Sequence, residues 1–346
     1  MSIAEKLTTI AENQQKVYEA GQKSEYDRFW DAYQTGTYQN QFSGKMWKNS
    51  TFKPKYDIKP TSTGYMLFYY SGIKGDLVSI LDELGVTLDT SECKSFQYTF
   101  GYSEFTRIGV IDMRNATNLN TAMLSTFQGA KVETIDKLIF RDDGTQTFSN
   151  NAFQNCANLI NLTIEGTIGQ NGFNVQWSPL LSRESIDSIL DHLKDFTEWT
   201  LNNSVSYIEQ DSTTGEFPHD KVKIILNENI ENPQNYFLVY QEGNRGGSQL
   251  SPELTTGFNE NGELIIDGFF MTYENDGRTE FIRVEDGNGN TLVKGTDYNI
   301  YTGILPSTSK TVTFNATAVD NAYTNSDEWQ IKVSQANKNG WTVETV

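Results

Sequence analysis

The stretch AFQNCANLINLTIEG, residues 152–166, has an apolar pattern that fits neither a single helix nor a single strand. Its first half lacks both the three-and-four spacing of a helix and the alternation of a strand, whereas Leu162 and Ile164 alternate at its end. We therefore expect Phe153 and Cys156 to pack a turn, and Leu159 to fill the core. A short strand then begins near Leu162.

Two earlier segments have the same order of apolar residues. Each is led by a phenylalanine, in FGYSEFTRIGVIDM from Phe100, FQGAKVETIDKLIF from Phe127 and FQNCANLINLTIEG from Phe153. These phenylalanines lie about 26 residues apart, and a period of roughly 20–29 residues with one strand per unit is typical of leucine-rich repeats. Stacking buries a face that one repeat alone leaves exposed. We predict a short, degenerate leucine-rich repeat domain over residues 65–200.

Two amphipathic helices are predicted within this domain. GDLVSILDELGVTLD, residues 75–89, places its leucines and isoleucine on one face and leads into the array. SRESIDSILDHLKDF, residues 182–196, has Ser182 as its N-cap, with Ser185 in place of the usual glutamate of a capping box. We expect the second helix to close the open end of the repeat stack.

The N-terminal residues 1–34 are predicted to form an oligomerisation or anchoring helix. Alanine, glutamate, lysine and glutamine dominate this segment. Its apolar residues form a heptad seam followed by aromatic residues: Ile3, Leu7, Ile10, Val17, Phe29 and Trp30. The helix either packs on its own domain or self-associates as a coiled coil that docks to a larger assembly. The seam is too short to be stable without further contacts.

The rest of the chain divides into three segments. Residues 35–64 are rich in small polar residues and are predicted to be a connector. Residues 201–309 alternate strand patterns such as KVKIILN with turns such as DGNGN, so we predict an all-β, sandwich-like domain. Residues 310–346 read as strand, helices and a final strand. The predicted fold class is α+β with several domains.

Composition excludes several classes of function. The chain carries 27 basic and 45 acidic residues, a formal charge of −18 that repels a phosphate backbone, so we expect no nucleic-acid partner. The two cysteines are too few for a disulfide framework. The N-terminus lacks an apolar signal region, and the longest apolar run is too short for a membrane span. We expect synthesis in the cytoplasm and no membrane insertion.

No catalytic motif emerges from the sequence. HExxH, GxSxG and GxxxxGK[ST] are absent, and His192 is expected to be structural. Acidic residues are abundant, so a glycosidase pair stays possible, but most are expected to be solvated. Asp286, Asn288 and Asn290 have the spacing that begins a calcium loop, yet its glycine and final glutamate are missing, so we predict a tight turn. We predict a non-enzyme with no cofactor, metal or catalytic residue.

The motif AFQNCANLINLTI resembles the AF..C..L..L.I signature of BspA-type leucine-rich repeats. More specifically, residues 1–200 and 310–346 are similar to leucine-rich repeat proteins encoded among tail and baseplate genes of Firmicutes phages and prophages. In those proteins a helix like ESIDSILDHL is followed almost at once by the final strand-helix-strand. The resemblance therefore implies that residues 201–309 are an inserted β domain. Part of it, IRVEDGNGNTLVKGTDYNI, also resembles Ig-like repeats of bacterial surface proteins.

The resemblance implies a structural protein of the phage tail tip or baseplate, assembled in the host cytoplasm. It would be a homo-oligomer, with a trimer favoured, and would bind other tail proteins through its N-terminal helix. The inserted domain would contact a host-surface glycan or protein, and its aromatic residues are the candidate contacts: Tyr236, Tyr240 and Tyr273. Two alternatives stay open. One is a bacterial cell-surface adhesin with leucine-rich repeats, and the other is a tail-associated enzyme that degrades polysaccharide.

Overall fold

The computed structural model describes residues 3–22, 44–54, 56–61, 63–117, 123–146, 149, 151–204, 221–240, 258–267, 282–324 and 327–346. Over these residues the protein is a mixed α and β structure with five α-helices. They are α1 (Ile3–Gln22), α2 (Leu77–Leu84), α3 (Arg183–Asp191), α4 (Ala316–Ala322) and α5 (Glu328–Lys338). None of the described helices is both long enough and apolar enough to cross a membrane.

The described strands form four sheets. A parallel sheet has the order β1-β2-β3-β4, with strands Gly75–Asp76, Phe105–Asp112, Thr134–Ile139 and Asn161–Glu165. An antiparallel sheet has the order β6-β11-β7-β9, with strands Glu198–Leu201, Tyr298–Ile304, Lys221–Leu226 and Glu263–Asp267. The remaining sheets are an antiparallel pair, β8 (Phe237–Tyr240) with β10 (Ile282–Glu285), and the parallel set β5 (Phe173–Asn174), β12 (Lys310–Phe314) and β13 (Trp341–Thr345).

The chain divides into two compact units. The first unit comprises Met1–Lys194, Lys310–Asn337 and Trp341–Val346, and the second comprises Asp195–Ser309 and Lys338–Gly340. The segment 201–309, expected as an inserted domain, falls within the second unit.

A column of stacked phenylalanine rings forms the centre of the first unit. The ring centroids of Phe68 and Phe100 are 5.5 Å apart, those of Phe100 and Phe127 are 5.6 Å apart, and those of Phe127 and Phe153 are 5.3 Å apart. All four side chains are buried. The sequence comparison identified three phenylalanines of this column. The structure adds a fourth, Phe68, which precedes them in the chain.

Backbone hydrogen bonds join the turns that carry these rings. The amide of Phe68 donates to the carbonyl of Thr99 over 2.7 Å, and the amide of Phe100 donates to the carbonyl of Thr126 over 2.8 Å. Cys156 adds a side-chain bond, since its Sγ donates to the Phe127 carbonyl over 2.8 Å. Each turn therefore satisfies the backbone groups of its neighbour, which buried irregular segments require.

Helix α3 covers the last strand of the parallel sheet. The amides of Leu162 and Ile164 donate to the hydroxyl oxygens of Ser185 and Ser188 over 2.8 and 2.9 Å. Ser182 is the N-cap as predicted, because its Oγ accepts from the amide of Ser185. Serine hydroxyls thus pair two strand amides that would otherwise form an open edge.

The C-terminal segment completes the first unit. Strand β12 pairs in parallel with β5, which aligns Val312 with Phe173, and it also pairs with β13. Asn315 caps α4, since its Oδ1 accepts from the amides of Thr317 and Ala318. The predicted strand, helices and final strand of residues 310–346 are all present.

The segment expected as a connector, 35–64, is described from residue 44 apart from residues 55 and 62, and most of its apolar side chains lie in the core. Trp47 and Phe52 are buried with their rings 5.3 Å apart, and the Trp47 indole N–H donates to the Leu67 carbonyl over 3.0 Å. Tyr56, in contrast, is 49% exposed. This part of the segment therefore belongs to the packed first unit, because a buried indole needs a fixed acceptor.

The second unit has its own apolar core. The buried residues of this core come from strands of both antiparallel sheets and from one flanking residue: Val222, Ile224, Leu226, Phe258, Leu264, Val284, Tyr298 and Ile300. Strands β7 and β11, which begin with Lys221 and Tyr298, pair antiparallel along their length. Among the described residues of 201–309 the regular elements are strands and one short 3₁₀ turn, Pro233–Asn235, and both sheets contribute to this core.

Candidate functional sites

The N-terminal helix has an exposed surface over its described side chains. Lys6 and residues 8–16 are all exposed, and Ile10 is 52% exposed although it lies at the centre of the predicted seam. Ile3, Leu7 and Val17 lie within α1, and the structure fixes their backbone only. Phe29 and Trp30 lie outside the described residues. Single exposed apolar side chains are common on protein surfaces, and self-association through the seam stays a prediction.

The three tyrosines suggested as receptor contacts do not form one described cluster. Tyr236 is partly buried and packs against the apolar core of the second unit. Tyr240 is the last residue of β8, where it pairs with Ile282, and the structure fixes its backbone only. Tyr273 lies outside the described residues. Tyr236 therefore contributes mainly to packing.

The loop with calcium-like spacing is a tight turn, as predicted. Asp286 Oδ1 accepts from the amides of Asn288 and Asn290 over 2.9 and 2.8 Å, and Asp286 Oδ2 accepts from Asn290 Nδ2 over 2.8 Å. These bonds, with those from Asn290 the strongest, lower the pKa of Asp286. Among the described residues, no group of three or more His, Cys, Asp or Glu side chains could hold a metal ion.

A charged cluster joins α3, α5 and Tyr323, the residue that follows the end of α4. Asp187 accepts from the hydroxyl of Tyr323 over 2.6 Å, and the ammonium of Lys332 lies 3.3 Å from Asp187 and 3.0 Å from Asp191. Arg183 extends the cluster through an ion pair with Glu328 at 2.7 Å. Burial, followed by the nearby Asp187 carboxylate, raises the pKa of Tyr323. Each of these carboxylates has a cation or a phenol as its partner. The ion pairs therefore link α3 to α5.

The two cysteine thiols are buried and protonated. Burial raises the pKa of Cys93 to about 11 and that of Cys156 to about 12. Thiolate is the reactive form, so both side chains behave as small core residues.

We expect neither thiol to react with a disulfide reagent such as 5,5′-dithiobis(2-nitrobenzoate) at pH 8 in the folded protein. Both should react within seconds once the chain is unfolded in guanidinium chloride. The release of thionitrobenzoate gives the count in each state. Rapid modification of either thiol in the folded chain would contradict the burial of that residue.

A cluster of four tyrosines lies beside the phenylalanine column, and we call it the tyrosine patch: Tyr69, Tyr70, Tyr98 and Tyr102. The rings of Tyr70 and Tyr102 are stacked, with centroids 4.6 Å apart and planes 6° apart. Tyr69 meets Tyr70 and Tyr98 edge-on at 4.6 and 5.4 Å. Tyr70 is 45% exposed, so the patch reaches the surface of the first unit.

The backbone of the tyrosine patch adopts a conformation that tyrosine rarely takes. Tyr70, Tyr98 and Tyr102 have φ values of 54°, 55° and 54°. At the position of Tyr70 and Tyr102, the next two turns carry Gly129 with φ 64° and Asn155 with φ 60°. Glycine and asparagine are the residues that tolerate this left-handed region, whereas a bulky side chain costs about 1–2 kcal/mol there.

Small and polar residues surround the patch. A methyl group at Gly101 would lie 3.1 Å from the Tyr69 ring, and one at Gly129 would lie 2.6 Å from the Tyr102 ring, so both glycines make room for the rings. On the following turns, Gln128 Nε2 donates to Gln154 Oε1 over 2.7 Å. On the preceding side, the ammonium of Lys45 lies 5.1 Å from the Tyr70 centroid.

Sequence reasoning missed the tyrosine patch, although a signal was present. FYYSG at residues 68–72 and FGYSE at residues 100–104 place a tyrosine two residues after each core phenylalanine. Including Phe68 in the comparison of repeats would have aligned Tyr70 with Tyr102. Their shared, outward position follows from that alignment.

No family model matches this chain, and no curated protein or solved structure matches it either.

Proposed function

We propose that the protein is a structural component of a phage virion, placed at the tail tip or baseplate like a tail fibre. Its second unit would contact a receptor or glycan on the host surface. The proposal is supported by the resemblance of residues 1–200 and 310–346 to tail-encoded leucine-rich repeat proteins. A second, physical argument is that the second unit interrupts the first.

The repeated turns and parallel strands support a leucine-rich repeat frame within this proposal. Strands β2, β3 and β4 pair in parallel and in chain order. A buried, stacked phenylalanine precedes each of these strands: Phe100, Phe127 and Phe153. One strand and one return segment per step is the organisation of a repeat array. Helix α3 would be its cap.

The observation that carries the proposal is the break in this frame. The first unit is interrupted after Lys194 and resumes at Lys310, and the resumed strand pairs with β5 at Phe173. The residues between have a separate apolar core that includes Ile224 and Ile300. A unit with its own core can be exchanged without loss of the frame, and surface loops on such a rigid support commonly carry recognition. Receptor specificity would therefore lie in the second unit.

The N-terminal helix would provide the attachment to the particle. A heptad seam with an exposed Ile10 suits self-association, and we favour a trimer that binds other tail or baseplate proteins. The net charge of −18 keeps such an assembly soluble and disfavours contact with the packaged nucleic acid. We place assembly in the host cytoplasm, without membrane insertion, and we propose no enzymatic activity and no cofactor.

The experiment that tests this proposal measures the chain in purified particles. Phage particles from lysates that contain the protein are banded on a density gradient, and peptides are quantified by mass spectrometry. We expect this chain to co-purify in constant ratio to the major tail protein, while an abundant host cytoplasmic protein is depleted. Absence from the particles would refute the virion proposal. Recovery on the surface of uninfected cells would instead support an adhesin, and release of reducing sugar from host capsule would support an enzyme.

A further inference from the structure

Three side chains of the second unit bring an amine, a carboxamide and a carboxylate together. The Nζ atom of Lys221 donates to Asn339 Oδ1 over 2.8 Å and lies 3.1 Å from Asp195 Oδ2. The Lys221 side chain is only 3% exposed, whereas that of Asp195 is 33% exposed and Asn339 is half-buried. A lysine amine that is shielded from water is a nucleophile once it loses its proton. These groups are therefore the components of an amide-forming reaction.

The surrounding backbone holds the three groups in place. Lys221 begins β7, which pairs with β11 on one side and with β9 on the other. The backbone amide of Phe196 donates to the carbonyl of Asn339 over 3.1 Å. The amide of Thr197 donates to Asp195 Oδ1 over 2.9 Å, so that Oδ2 faces the amine. Reacting groups that are already in position avoid most of the entropy cost of coming together.

We propose that Lys221 and Asn339 join spontaneously in the folded chain through an amide bond between their side chains, with Asp195 transferring the protons. Lys221 Nζ bonds to Cγ of Asn339, the bond from Cγ to Nδ2 breaks, and this nitrogen leaves as ammonia. The reaction is a single self-modification that needs no oxidant, energy source or second protein. The resulting cross-link joins residues 118 positions apart in the chain. It goes beyond the proposed virion role and does not depend on it.

Asp195 accounts for the protons of each step. Its Oδ2 accepts a proton from the Lys221 ammonium, which gives the amine a free electron pair. The amine then moves from its hydrogen bond with Asn339 Oδ1 onto Cγ, the carbon that bears this oxygen. Asp195 donates its proton to Nδ2 as ammonia leaves, and it accepts the surplus proton from Nζ. The released ammonia carries that proton into water as ammonium, and the new amide is neutral.

The ion pair is the resting state of the newly folded chain, and the amide forms from it slowly. Burial acts to raise the pKa of Asp195, but hydrogen bonds from Thr197 and the contact with Lys221 outweigh it and lower the pKa. The protonated carboxyl is therefore a minor state, and proton transfer to it is infrequent. We expect the bond to form over days. Stability measurements on freshly purified chain consequently report the ion pair.

The test is the intact mass of the purified full-length chain during incubation at pH 8 and 37 °C. We expect a product that is lighter by one ammonia molecule, about 17 Da, and whose share rises steadily over two weeks. Digestion with trypsin then locates the bond. In the product trypsin no longer cleaves after Lys221, and the peptide of residues 195–223 is joined to residues 339–346. Absence of this linked peptide after two weeks would overturn the proposal.

One competing reaction removes the same mass. Asn339 is followed by Gly340, and attack of the Gly340 amide nitrogen on Asn339 Cγ forms a succinimide with loss of ammonia. That product leaves Lys221 open to trypsin, and hydrolysis converts it to aspartate or isoaspartate, whereas the cross-link persists. A lighter chain in which Lys221 is unmodified would show the competing reaction and contradict the proposal.

The decisive variant is Lys221→Arg, because a guanidinium keeps the positive charge and does not lose its proton in proteins. We expect it to abolish the linked product, and Lys221→Met is the second variant if circular dichroism shows that arginine disturbs folding. Asp195→Asn should slow formation of the product by at least about tenfold, since it removes the proton acceptor. The matched control is Lys223→Met on the same strand, where the ammonium pairs with Glu263, and it should form the product at the unmodified rate.

The variants give two further ways for the proposal to fail. A product that still forms in Lys221→Arg and Lys221→Met would show that another group attacks Asn339. Equal rates in Asp195→Asn and the unmodified chain would show that the carboxylate does not transfer the protons. Either result would overturn the proposal as stated, whatever the particle experiment shows.

Discussion

Replacing Phe127 by alanine is expected to lower the free energy of unfolding of the first unit by about 3–5 kcal/mol. The ring is fully buried and stacked on both sides, 5.6 Å from Phe100 and 5.3 Å from Phe153. Its removal leaves a cavity in the middle of the column, and the hydrogen-bonded turns on either side restrict how far the cavity can collapse. The loss should therefore lie toward the upper end of this range.

The measurement is hydrogen–deuterium exchange read by mass spectrometry, because a chain with two compact units need not unfold in one step. Peptides covering residues 100–165 should lose protection, and peptides covering residues 221–226 and 298–304 should keep it. The matched control is Val110→Ala on strand β2, where the side chain is 50% exposed and the expected change is within about 0.5 kcal/mol. Equal, small effects of Phe127→Ala and Val110→Ala would contradict the stacked column.

Replacing Asp195 by alanine is expected to destabilise the second unit by about 3 kcal/mol, since it removes a carboxylate that lies against the buried ammonium of Lys221. Lys221 is only 3% exposed, and its Nζ lies 3.1 Å from Asp195 Oδ2 and 2.8 Å from Asn339 Oδ1. Denaturation by urea, followed by exchange of peptides from β7 and β11, measures the effect. The double variant Asp195→Ala with Lys221→Met should recover much of the loss, because it removes the buried charge as well.

The pH dependence of this pair has a definite sign. Partial burial acts to raise the pKa of Asp195, but hydrogen bonds from Thr197 and the contact with Lys221 outweigh it, so the pKa is lowered. The stabilisation is therefore present above the ordinary carboxyl pKa of about 3.9 and is lost as the pH falls through the lower folded value. Asp195→Ala should therefore reduce the loss of stability of the second unit at low pH, whereas Glu198→Ala, at an exposed position of β6, should leave that loss unchanged. A loss of stability at low pH that is the same in Asp195→Ala as in the unmodified chain would show that the ion pair does not stabilise the unit.

The helices with strong local signals were predicted from the sequence. Helix α2 has a leucine-rich face and Asp76 as its cap, and α3 has Ser182, so propensity, periodicity and capping agree. The first step of the phenylalanine column was missed because α2 lies between Phe68 and Phe100 and lengthens that interval to 32 residues. A search for a fixed spacing between phenylalanines does not detect an interval that a helix has lengthened.

The candidate surface was less predictable than the fold. Tyrosine composition pointed to the second unit, where Tyr236 proved to be partly buried against the core. The tyrosine patch depends on left-handed backbone at Tyr70, Tyr98 and Tyr102, a conformation that residue propensity argues against. Contacts between successive turns impose it, and such contacts are visible only once the turns are stacked.

Electron cryo-microscopy of purified particles tests the proposal that this chain is a structural part of a phage tail. We expect density at the tail tip or baseplate into which the first unit fits, with its parallel sheet and phenylalanine column resolved, in three copies joined through their N-terminal helices. A map that resolves the whole tail tip and baseplate and contains no density for this chain would contradict the claim.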